Sequence, residues 1–191
     1  MTAPEKRWRT CIHEAGHACA ALLLGRAGIG AAVFDEGGGL ATSQPETATM
    51  PPAADFEPER LDPLYRGDDW PSLLLDATYT AAGAAAVDLL LHPERSETNV
   101  AGGDRAMLDS AARAAIGTNC DFFIEMYFNY MMAARARALL KPFLRRVERV
   151  AQELDRKSRL SSDEVARAMF PEAGTKTANV EEPEEEICGP G

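Results

Sequence analysis

His13-Glu14-Ala15-Gly16-His17 is the part of the chain whose residue types and spacing suit chemistry. It falls in a run from Glu5 to Leu24 of good helix formers after Pro4. Trp8, Ile12, Ala15, Cys19 and Leu23 recur there at the spacing of one apolar stripe, and Gly25 is placed to end the helix. Residues four apart on a helix are about 40° apart around its axis and about 6 Å apart along it, so His13 and His17 project from one face and can share a metal ion. Zinc accepts that geometry. Glu14 is rotated about 100° from His13, out of the ligand row but within reach of a water on the metal, which makes it the natural general base.

A third ligand has to come from another part of the chain, and three residues compete. A histidine six positions after His17 is excluded, because Leu23 stands there. His92, the remaining histidine, lies between Leu91 and Pro93, where it is expected to close a helix. Glu36 lies ahead of Gly37-Gly38-Gly39, and those glycines argue against the helix that such a ligand needs. Asp104 follows Gly102-Gly103 at the head of a helical run to Ile116, where its carboxylate can turn to a metal or cap free amides. On the residues alone the choice stays open.

The elements that must position these groups are mainly helical. Ala31 to Phe34 and Leu40 to Ser43 flank the triple glycine as a short hairpin. Six of the twelve prolines lie between Pro45 and Pro71, so residues 44–71 read as a proline-rich loop. Ser72 to Leu91 is an alanine-rich packing helix stopped before Pro93. A further helical stretch from about Asp121 to Arg159 is kinked or split at Pro142. Ser161 and Glu164 have the spacing of a capping box for a last short helix ending near Pro171. Residues 172–191 carry six Glu and one Lys without apolar periodicity and read as an acidic disordered tail after one domain, 1–171.

With 191 residues, 46% of them apolar, the chain has material for one sizeable core. Thirty acidic against twenty basic residues give a net charge of -10, which argues against nucleic acid as a partner. The basic residues Arg135, Arg137, Lys141, Arg145, Arg146 and Arg149 read as a solvated helix face interspersed with acids. No apolar run is expected to insert in a membrane, and Met1 to Glu5 lacks the order of a signal peptide, so the expected location is cytoplasmic. Cys11, Cys19, Cys120 and Cys188 are scattered and expected to be reduced, with Cys19 and Cys120 as small core filler. There is no Gly-x-x-x-x-Gly-Lys-Ser/Thr loop for ATP.

The motif in its setting, Cys11-Ile-His-Glu-Ala-Gly-His-Ala18, resembles the zinc-peptidase domain of the FtsH-type ATP-dependent proteases. In the same order, Gly39-Leu40-Ala41-Thr42 resembles a strand of that family, and Ala82-Gly83-Ala84-Ala85-Ala86 its small-residue helix. Val100-Ala-Gly-Gly-Asp104 resembles the segment that ends in its third zinc ligand, and Met131 to Met169 its closing helices. The resemblance spans about residues 5 to 170 and implies a mainly α, helical metalloprotease domain with a small β-hairpin or short sheet beside the active-site helix. It implies His13, His17 and Asp104 as zinc ligands and Glu14 as catalytic base. It does not extend to the family's transmembrane helices and ATPase module, so a separate ATPase is an expected partner; a homo-oligomer is another.

The expected activity is zinc-dependent endopeptidase cleavage of unfolded proteins or peptides, with Glu14 taking a proton from the attacking water and returning it to the leaving amine. Leu40, Ala41 and Thr42 are expected to hold the polypeptide substrate by β-augmentation. The alternative is a catalytically silent, metal-binding protease-like subunit or adaptor.

Overall fold

The computed structural model describes residues 2–26, 28–35, 38–48, 70–96, 98, 100, 102–116 and 121–171. Glu36, Cys120, Cys188, the proline-rich stretch 49–69 and the acidic tail 172–191 lie outside the described residues.

Helix α1 (Ala3–Leu23) opens on a capping box in which the Thr2 hydroxyl accepts from the Glu5 N–H and the Glu5 carboxylate accepts from the Thr2 N–H. After it come β1 (Gly30–Val33), β2 (Gly39–Thr42), α2 (Trp70–Leu91), α3 (Gly102–Ile116) and α4 (Phe122–Leu140). A 3-10 turn at Lys141–Phe143, α5 (Leu144–Lys157), β3 (Arg159–Leu160) and α6 (Ser162–Met169) complete the fold. It is mainly helical with a small sheet, as expected. Pro142 sits inside the 3-10 turn, where its missing N–H does least harm, and splits the long stretch into two consecutive helices. Ser161 and Glu164 form the expected capping box of α6.

The elements differ from the sequence reading in several places. Trp70 and Pro71 belong to α2, because a proline in the first helical turn lacks only an N–H that has no partner there. The third helix begins at Gly102, which puts Asp104 inside its first turn and not at its cap. The two-residue β3, too short to leave a pattern, joins the hairpin as a third strand.

The sheet order is β2-β1-β3, antiparallel throughout, so among the described residues β2 has an edge free of any further strand. Ala31 faces Ala41 and Ala32 faces Leu40. The Phe34 N–H donates to the Gly38 carbonyl at 3.1 Å. Because bonded and non-bonded pairs alternate along an antiparallel ladder, Gly39 and Ala41 turn their own N–H and C=O groups to the free edge.

Helix α1 is the centre of the molecule, packed on α2 and α5 and covered by the sheet. Its contact with α2 depends on small residues. A Cβ built on Gly16 would lie 2.6 Å from Ala86 Cβ and 2.7 Å from the Ala82 carbonyl oxygen, so the two backbones approach as closely as a glycine allows. Ile12, Leu108, Leu140 and Leu154 are fully buried; truncating one of them to alanine is expected to cost about 2–5 kcal/mol. Contrary to the sequence reading, one helix among the described residues is long and apolar enough, by length and composition, to cross a bilayer. It is α2, with 22 residues and a mean hydropathy of 1.3, and 72% of that stretch is buried against the rest of the fold. Helix α4 carries apolar residues both inside and outside: Met132, Ala133 and Ala136 face the core, while Phe123, Tyr127 and Tyr130 face solvent.

Candidate metal centre

His13 and His17 stand one turn apart on α1, with ring centroids 4.7 Å apart and planes nearly perpendicular. The His17 Nδ1 lies 2.9 Å from the Tyr79 carbonyl oxygen on α2. That oxygen can only accept, so Nδ1 carries the proton and Nε2 of the neutral ring presents a bare lone pair. It points at His13 Nε2, 3.1 Å away, and at Asp104 Oδ2, 3.3 Å away. Asp104 Oδ2 is in turn 3.0 Å from His13 Nε2.

Three electron-pair donors therefore form a triangle with edges near 3 Å. Donors held about 2 Å from a tetrahedrally coordinated ion lie about 3.3 Å apart, so the triangle has the size of three such ligands. Apart from the two imidazoles, the buried Asp104 Oδ2 has no hydrogen-bond partner. A positive charge at the centre would offset the crowded lone pairs, and these residues could hold a metal ion. Among the described residues this is the one group of histidines, cysteines and acids so placed.

A proton on His17 can supply such a charge as well. Burial opposes a charged His17, but the Asp104 carboxylate, its hydrogen bond, Glu14 and the Tyr79 carbonyl outweigh it and push the imidazole up to about 9. Burial likewise opposes a charged Asp104, yet His17 and the hydrogen bonds from both histidines hold its carboxyl well below the usual range. Proton and metal compete for the same lone pairs.

Glu14 is 6% exposed and sits beside the triangle, not in it. Burial raises its carboxyl, the neighbouring imidazoles pull it down, Asp104 raises it, and the Ala41 N–H hydrogen-bonds the carboxylate; the net direction is upward. Both Glu14 and the donor triangle open on a cavity of about 520 Å³ whose far wall includes Leu40, Ala41 and Tyr79. Of the residues expected to bind substrate, Leu40 and Ala41 line this cavity and Thr42 does not.

His92 is not part of the site: it follows α2, its N–H donates to the Asp88 carbonyl, and its ring lies 3.8 Å from Glu94. Cys11 turns to Asp155 on α5, at 3.8 Å, and Cys19 is buried in the core. Several of the basic residues of α4 and α5 are engaged within the fold: Arg137 donates to Thr98 and the Arg95 carbonyl, and Arg149 to the Ala168 carbonyl.

Three residues that bound this site went unnoticed in the sequence. Gly83 on α2 faces the imidazoles: a Cβ there would meet His17 Nε2 and lie 2.7 Å from His13 Nε2. A lone glycine amid alanines on a helix is the signal that could have found it, since glycine there is costly without a packing reason. Gly39 on β2 does the same for Glu14, with a Cβ falling 2.9 Å from Glu14 Cδ. Tyr79 contributes through its backbone carbonyl, which leaves no mark in a sequence. No family model matches the chain, and no curated protein matches it, so a functional reading rests on these residues.

Proposed function

We propose that the chain is a zinc-dependent endopeptidase of the FtsH-like type, acting on unfolded proteins or peptides. The observation that carries the proposal is the convergence of His13, His17 and Asp104 with a buried carboxylate, Glu14, at their side. Two imidazoles, one carboxylate and a neighbouring acid that is not a ligand form the donor set of catalytic zinc sites, which keep a position open for water. When bound, zinc supplies a Lewis acid that polarises the scissile carbonyl and brings a water's pKa down toward about 7.

The chain's own groups do the rest. The Tyr79 carbonyl holds His17 in the tautomer that offers Nε2, as a second partner of a metal-ligating histidine does. Glu14, its carboxyl raised by burial, takes the proton of the attacking water and hands it to the departing amine. The outer edge of β2, where the Gly39 backbone turns away from β1, is placed to meet an extended backbone, which folded proteins rarely present.

The test is cleavage of unfolded casein by the purified protein, with and without chelator, beside a Glu14→Gln variant. The variant is expected to keep its zinc and to lose at least about 10²-fold in turnover. Undiminished cleavage by Glu14→Gln, or cleavage that a chelator leaves untouched, defeats the proposal. A wild-type protein that holds zinc without cutting casein is instead the silent, metal-binding subunit.

A further inference from the structure

Asp104 is the one donor of the triangle that α1 does not carry. Its helix, α3, buries Leu108, Ala111 and Ala112, and two of these are alanines, so apolar packing gives its rotation and register little to hold. Polar links to α4 supply what is missing. Ahead of α3, Arg137 donates to the Arg95 carbonyl at 2.8 Å and to the Thr98 hydroxyl at 3.3 Å. In its middle, the Asn129 amide donates to Asp109 Oδ1 at 2.6 Å, the oxygen that also accepts from Arg105 at 2.9 Å. Near its end, Arg113 pairs with Glu125 at 3.7 Å. The partners descend α4 as the chain climbs α3, like the rungs between two antiparallel helices, and Asp104 falls between the first rung and the second.

The middle rung is the buried one. Asn129 is 5% exposed, on the side of α4 that also buries Met132 and Ala133, and among the described residues its Oδ1 has no partner. An unpaired buried amide oxygen costs about 1–3 kcal/mol, which a leucine of similar size would avoid. Stability therefore does not account for an asparagine here, whereas direction does: its N–H fixes one oxygen of Asp109, and a slip of α3 by one residue would carry Asp104 about 1.5 Å along the axis and about 100° around it. Either movement takes Asp104 Oδ2 away from His13 and His17, which it meets at 3.0 and 3.3 Å. We propose that Asn129 is a positioning residue for Asp104: α4 offers no atom to the triangle, yet its buried amide sets the register of the helix that delivers the third donor. The inference rests on the reading of Asp104 as a metal ligand and adds which part of the fold places it.

Asn129→Leu in the full chain tests this without any turnover, with cobalt(II) as the probe. In chelator its thermal midpoint is expected to stay or to rise, because the unpaired oxygen is gone. Amide hydrogen exchange in α3 is nevertheless expected to quicken about tenfold relative to α2 and α5, the worth of one hydrogen bond to a charged group. Cobalt(II) affinity, read from the visible absorption of the bound ion, is expected to fall about 10- to 100-fold, the range for partners that hold a ligand in place. On an Asp104→Ala background the same substitution is expected to leave the residual cobalt(II) affinity within about twofold, which a general loosening of the fold would not do. Asn129→Ala, which cannot overpack the site, carries the same affinity readouts, and Arg137→Gln is expected to weaken cobalt(II) binding in the same direction by less. The proposal is overturned if Asn129→Leu leaves exchange in α3 unchanged, binds cobalt(II) as tightly as the wild type, or loses as much affinity on the Asp104→Ala background. Loss of cobalt(II) in Asp104→Ala but not in Asn129→Leu overturns the positioning alone. Full cobalt(II) affinity in Asp104→Ala overturns the ligand reading, and the role of Asn129 with it.

Discussion

Gly83 on α2 lies so close to His13 on α1 that a methyl group built on it would fall 2.7 Å from His13 Nε2, with His17 Nε2 nearer still. The rings cannot simply step aside. His17 is held by the Tyr79 carbonyl, and moving it breaks that bond and opens the triangle with Asp104. Gly83→Ala is therefore expected to lower metal affinity by at least tenfold, through a residue that offers no ligand atom. In chelator the same change is expected to cost about 1–3 kcal/mol of overpacking, offset in part by the roughly 1 kcal/mol that alanine gains in helix propensity. Metal competition titration and thermal melts in chelator check the two halves. Unchanged metal affinity would mean that the imidazoles do not converge under Gly83.

Local geometry explains how much of this site could be read in advance. His13, Glu14 and His17 were legible because a helix fixes their relation within two turns. The sequence offered three candidates for the third donor, because bringing α3 beside α1 is a matter of tertiary packing and no spacing rule reaches across it. The hairpin was legible within one residue from its glycines, and α6 from its cap. Helix α4 was legible as a helix, but the stretch Phe122 to Met131 spreads its apolar residues around the axis and buries the polar Asn129, so it could not reveal which face meets the core. Gly83 and the Tyr79 carbonyl work through the absence of a side chain and through the backbone. Only the folded chain shows either.

The protonation of His17 sets the response to pH and to metal removal. Its imidazole is pushed up to about 9 in the metal-free fold against about 6.5 unfolded. A raised value contributes stability that is fully present below about pH 6.5 and is lost as pH rises through about 9. A metal must displace that proton, so metal affinity rises over the same interval. The stability gap between zinc-loaded and chelator-treated protein is thus expected to widen from pH 6.5 to 8.5, by at most about 1.4 kcal/mol per pH unit. Denaturant unfolding at several pH values, with zinc and with chelator, measures it. A gap that is constant with pH would show that metal and proton do not share His17.

The cysteines of α1 should be chemically quiet. Burial, with Asp155 nearby, pushes the Cys11 thiol up to about 12, and burial alone raises Cys19. Neither is expected to react with a disulfide reagent at pH 8 in the folded protein, while both react in denaturant. Peptide mapping after alkylation distinguishes them from the other two cysteines. Because the Cys11 value is raised, its contribution to stability is present below about pH 9 and falls away toward pH 12. Fast labelling of Cys11 in native protein would mean that the α1–α5 contact opens.

Gly39 allows the proposed base, Glu14, to be tested apart from the proposed ligands. A Cβ at this position would meet the Glu14 side chain on one side and lie 2.9 Å from the Ala32 carbonyl oxygen on the other, so neither the strand nor the carboxylate can keep its place. The triangle of His13, His17 and Asp104 stands clear of that crowding, because the atoms nearest a Cβ at Gly39 belong to Glu14 and Ala32 and to none of the three. Gly39→Ala is accordingly expected to keep metal affinity within about twofold while turnover falls about 10²-fold, the scale of a displaced general base. Metal titration and casein cleavage on the same preparation give the contrast with Gly83→Ala, where the metal goes first. If Gly39→Ala loses its metal as readily as Gly83→Ala does, Glu14 belongs to the ligand set after all, and the division of labour between the carboxylates Glu14 and Asp104 is wrong.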